Sequence, residues 1–85
     1  MGDKKLRSKL ARTTQGCRER ELHRLYTSYG FEKKEGGRHT IFKHPSYPHL
    51  IGIVARHRHL HRFYVTDALK LLALLDTLEG EEEQC

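Results

Sequence analysis

The chain of 85 residues has no apolar run approaching the roughly 18–20 residues that cross a bilayer, and its basic N-terminus is not followed by a hydrophobic stretch. A cytoplasmic protein with reduced thiols is therefore the expectation, with no membrane partner. Cysteine is nearly absent: Cys17 and Cys85 stand far apart in polar surroundings, with neither metal-ligand spacing nor a disulfide framework. There are only two prolines, Pro45 and Pro48, both in one short segment. Acidic residues are scarce through most of the chain. Residues 1–62 hold 15 Lys and Arg against 5 Asp and Glu, a charge of +10, whereas residues 63–85 carry −5, which together give the net +5. With no carboxylate cluster in the basic part, metal-assisted chemistry has no obvious ligand set, and no cofactor is expected. No internal repeat is present, and the length allows one domain with a thin core.

What is present is a basic body. A sequence pI near 9.5 raises the local concentration of polyanions and speeds their capture. Nucleic acid is the first partner this field implies; an acidic protein is the second, and a merely soluble surface the third.

Residues 1–18 are rich in cations and poor in apolar side chains, so they read as a flexible basic leader that cannot offset its ordering entropy. Leu22, Leu25, Tyr26 and Tyr29 recur at helical spacing and predict an amphipathic helix ending at Gly30. Phe31 to Lys34 reads as a short strand, Glu35-Gly36-Gly37 as a hairpin turn whose glycines supply positive φ, and Arg38 to His44 as a second strand closed by the prolines. Leu50 to Ala55, almost continuously apolar, reads as a central or well-covered third strand. After a cationic connection, Thr66 is the expected N-cap of a last helix bearing Leu69, Leu72, Ala73, Leu75 and Leu78. The expected fold is α+β: a two-layer α-β-β-β-α sandwich with a three-stranded antiparallel sheet in residues 19–78, flanked by the leader (1–18) and a frayed acidic tail (79–85).

Seven histidines are many for this length, and all but His23 lie between positions 39 and 61. Imidazole titrates near neutral pH, which suits proton transfer and metal binding. His23 reads as a helix-surface residue, and His44 and His49 as exposed loop residues beside the prolines. The alternation His57, His59, His61 puts three imidazoles on one side of an extended segment. Zinc would need further ligands, but no cysteine pair is near and Asp67 is the only nearby carboxylate. His39 stands apart because of its neighbours. Gly36 and Gly37 allow close backbone approach, Arg38 offers a fixed cationic fork, and Lys34 and Lys43 add charge on the flanking strands. A histidine so framed can take a proton from a ribose 2′-hydroxyl while the cations stabilise charge gathering at phosphorus.

The runs Tyr29-Gly30-Phe31-Glu32, Gly36-Gly37-Arg38-His39-Thr40-Ile41-Phe42-Lys43-His44-Pro45, Ile53-Val54-Ala55-Arg56-His57 and Thr66-Asp67-Ala68-Leu69-Lys70-Leu71-Leu72 together resemble the HicA family of small toxins, over about residues 19–78. The resemblance implies a double-stranded-RNA-binding-domain-like fold. It also implies metal-independent cleavage of mRNA in a toxin-antitoxin system, and inhibition by a HicB-like antitoxin that covers the active site. It places the catalytic histidine at His39, and the candidate RNA contacts are Lys34, Gly37, Arg38, Lys43, Arg56 and His57. The chain departs from the family pattern in carrying Arg38 where serine is usual and Ala55 where proline is common, and in a longer, histidine-rich connection from Arg58 to Val65. The expected assembly is a monomer alone or a hetero-oligomer with the antitoxin. The rival reading is a non-catalytic RNA-binding module using the same basic surface.

Overall fold

The computed structural model describes residues 2–84, with side chains described as far as Gly80. The elements run α1 (Lys4–Arg12), α2 (Glu19–Ser28), β1 (Glu32–Glu35), β2 (His39–Lys43), β3 (Ile51–Ala55) and α3 (Arg62–Gln84). The strands form one open antiparallel sheet in the order β1-β2-β3, so the protein is a small α+β fold. From α2 onward the order is the expected one.

Period-two alternation decides which side of the sheet meets the helices. Thr40, Phe42, Gly52 and Val54 are buried, whereas His39, Lys43, Ile51 and Ile53 are exposed and Ile41 is half-buried. The helices cover the first set, α2 packing on β1 and β3 and α3 on β3. The core beneath is aromatic at one end. Tyr26 stacks on Phe42 with centroids 4.9 Å apart, and the edge of Phe31 lies 5.1 Å away. Leu22 and Leu25 from α2 and Val65, Ala68, Leu72 and Leu75 from α3 complete it.

Gly52 permits this packing. A Cβ there would overlap the Tyr26 phenol, so α2 can lie this close to β3 only over a residue without a side chain. At the end of α2, Gly30 adopts φ of +89° and stops the helix as expected.

The elements depart from expectation in four places. Residues 1–18 are not a simple leader: α1 forms within them and buries Leu10, with Leu6 packed beside it. Two leucines four residues apart suffice because the polar side chains of α1 find partners. Asp3 caps the helix through Leu6 N (3.0 Å) and pairs with Arg24 (3.3 Å), Arg7 meets Asp76 (2.8 Å), and Lys9 meets Glu21 (2.9 Å). The last helix starts at Arg62 rather than at Thr66. The Nδ1 of His61 accepts from Phe63 N–H at 3.1 Å and so does the capping, while the Thr66 hydroxyl donates to the Phe63 carbonyl (3.0 Å). The helix runs on to Gln84 rather than fraying after Leu78, and Cys85 lies outside the described residues. Finally, β3 is an edge strand, not a central one, and its continuous apolar run arises because Ile51 and Ile53 face outward.

Candidate functional site

The β1–β2 turn is where the candidate residues meet. Gly36 N–H donates to the His39 carbonyl at 3.0 Å, which closes the turn and fixes the backbone of the first residue of β2. A Cβ on Gly36 would come within 2.8 Å of that same carbonyl, so glycine is required by a close approach. The expected positive φ is absent: among the described residues only Gly2, Gly16 and Gly30 adopt it. Gly37 is exposed, and a Cβ there would meet nothing, so the chain's own packing does not demand glycine at that position.

Arg56, expected as a phosphate contact, is bonded to the turn. Its guanidinium donates to the Gly36 carbonyl at 2.8 Å and lies 4.0 Å from the Glu35 carboxylate. The end of β3 is thereby tied across the sheet to the tip of the turn that precedes His39. Arginine has further N–H groups in its fork, so an outward edge remains for an anion. This support was hidden in the sequence because residues 36 and 56 are brought together only by the register pairing His39 with Ala55.

His39 itself is exposed, and among the described residues nothing hydrogen-bonds its ring. It stands on the open face of the sheet, in the set that includes Ile41 and Lys43 along β2. Lys34 pairs with Ile41, which makes it the diagonal neighbour of His39, about 7–8 Å away by sheet geometry. Lys43 is four residues along the strand, roughly 13 Å from His39, and serves a different point on any bound chain. Lys34 and Lys43 instead line a shallow concavity with Glu32, Lys33, His44, Pro45 and Pro48. Arg38 and His57 are exposed in the bends that precede β2 and follow β3, so both lie at the His39 end of the sheet. Lys34, Arg38, His39, Arg56 and His57 therefore share one end of the fold, while Lys43 lies apart.

The other histidines divide by environment. His44 is buried rather than loop-exposed: its Nδ1 accepts from Ser46 N–H at 3.1 Å and its ring meets Phe31 and Tyr47. His23 is not a simple surface residue either. Its ring packs edge-on against Phe42 at 5.2 Å, and burial lowers its pKa below the ordinary value, against the opposing pull of Glu19. Of the alternating three, His61 is the helix cap and His59 pairs by a backbone bridge with Arg18. Among the described residues no three His, Cys, Asp or Glu side chains are placed to hold a metal ion. No described helix is long and apolar enough to cross a membrane.

No family model, curated protein or solved structure matches this chain.

Proposed function

We propose that the protein is a HicA-like endoribonuclease of the cytoplasm, with α2, the sheet and α3 forming a double-stranded-RNA-binding-domain-like core to which α1 is added. The observation that carries this reading is the exposed imidazole of His39 at the head of β2. It is set on a turn whose backbone is held by the Gly36–His39 and Arg56–Gly36 hydrogen bonds and shares its end of the sheet with Lys34, Arg38 and Arg56. In the proposed reaction His39 takes the proton of a ribose 2′-hydroxyl. The O2′–P bond forms as the P–O5′ bond breaks, and the departing 5′ oxygen takes a proton from water. The cations stabilise the charge that gathers on the phosphoryl oxygens. The products are a 2′,3′-cyclic phosphate and a 5′-hydroxyl.

The open sheet face also supplies a surface for an inhibitory protein of HicB type. Ile51 and Ile53 are 46% and 47% exposed there, and Ile53 is two residues along β3 from the partner of His39. A protein seated on these isoleucines would cover the imidazole.

A second reading, an RNA-binding module without chemistry, is favoured by the lack, among the described residues, of a hydrogen-bond partner orienting the His39 ring. Incubation of the protein with RNA in excess chelator, followed by analysis of the fragment ends, separates the two. Cyclic phosphate ends that require His39 support cleavage; bound but intact RNA supports the module.

A further inference from the structure

Away from the open sheet face, the entry to α2 and the β3–α3 connection enclose a concavity of about 640 Å³ lined by Arg18, Glu19, Arg20, His23, Arg58 and His59. Its cations come from segments some 40 residues apart, and the fold fixes them together. Arg18 and His59 form a backbone bridge, Leu60 N–H donates to the Cys17 carbonyl at 2.8 Å, and both Leu60 and Cys17 are buried. Among the described residues none of the three guanidinium groups lies within 4.0 Å of a carboxylate, whereas nearby Lys9 and Arg24 are both ion-paired. Glu19, the one acid of the lining, lies 3.6 Å from His23 Nε2. Three guanidinium groups without a carboxylate within 4.0 Å thus line one concavity, a lining that favours an anion there. Guanidinium forks match the oxygens of a phosphate in particular.

The concavity is linked to the turn that carries His39 through the chain from Arg58 to Arg56. Arg56, bonded to Gly36, is two residues from Arg58, so their Cα atoms are at most about 7 Å apart. Arg56 is also close enough to act on the charge of His23 on the concavity floor. We propose that Arg18, Arg20 and Arg58, with His59 beside them, form a second phosphate site. Resting on the assignment of His39 above, this site takes a backbone phosphate of the same RNA strand, a nucleotide or two from the one attacked. Longer RNA would then be held by two anchored phosphates, and a dinucleotide by one.

The test uses the full chain carrying His39→Ala for binding and the parent for cleavage. A single-stranded RNA of twelve nucleotides is titrated at several salt concentrations, with and without Arg20→Ala and Arg58→Ala together. The salt slope should fall by about 0.7, the share of one phosphate on a single strand, and affinity should drop about tenfold. Dinucleotide cleavage by the double variant of the parent should be unchanged, and a lysine pair at the two positions should keep most of the slope. An unchanged slope overturns the second site, as does a lysine pair as weak as the alanine pair, or an acidic peptide of equal charge that binds as tightly as the RNA. A His39→Ala protein that still cuts RNA while the double variant loses slope overturns the catalytic assignment and leaves this site standing.

Discussion

Gly52 sets how closely α2 approaches the sheet. The Tyr26 ring fills the space a side chain would need, and its hydroxyl is buried with no hydrogen-bond partner among the described residues; burial pushes the phenol pKa up. Gly52→Ala forces helix and strand apart and should cost about 1–3 kcal/mol or more, measured by urea unfolding. His23 makes a different contribution. Burial lowers its pKa, with Lys33 and Arg56 acting in the same sense and Glu19 and Glu35 opposing. The unfolded chain therefore binds a proton that the folded one resists, and stability falls as pH drops through the ordinary histidine value of 6.5. Urea midpoints measured from about pH 7.5 to 5.5 should decline in the parent, and His23→Gln should lose part of that decline.

At the level of elements, α1 and β3 carry the consequences. Leu10 is the anchor by which α1 joins the core, being 1% exposed amid a helix of cations. Leu10→Ala should destabilise the whole domain by about 2–5 kcal/mol in one cooperative transition. A loss confined to a separate early transition would mean that α1 is an appendage. On β3, the outward Ile51 and Ile53 are left uncovered by the chain's own helices. If the HicB-like partner seats there, Ile53→Lys should abolish complex formation in a co-elution assay while leaving the thermal midpoint within a few degrees of the parent. A variant that still co-elutes would move the partner to another face.

Over the whole molecule, what could be read in the sequence followed local signals. The period of Leu22, Leu25 and Tyr26, the stop at Gly30, the order of three strands and the prolines closing β2 all depend on neighbours within a few residues. What escaped depended on partners far along the chain. Residues 1–18 read as too polar to order because Asp76, Glu21 and Ser28, which satisfy α1 and its cap, are distant in sequence. The start of α3 escapes local signals because a histidine, an uncommon cap, does what is expected of Thr66. At the candidate site, His39 and its turn were legible. The hold of Arg56 on Gly36 needed the strand register, and the gathering of Arg18 with Arg58 needed the bridge at His59. The basic body is thus gathered by the fold into separate groups, one beside His39 and one behind it.

The most direct test is the single-turnover rate of RNA cleavage by the parent and by His39→Ala, with RNA binding followed in parallel. A fall of about 10²–10⁴-fold in rate with affinity nearly intact is the predicted result. Equal rates for the two proteins, or a parent that binds RNA and leaves every bond whole, would contradict it.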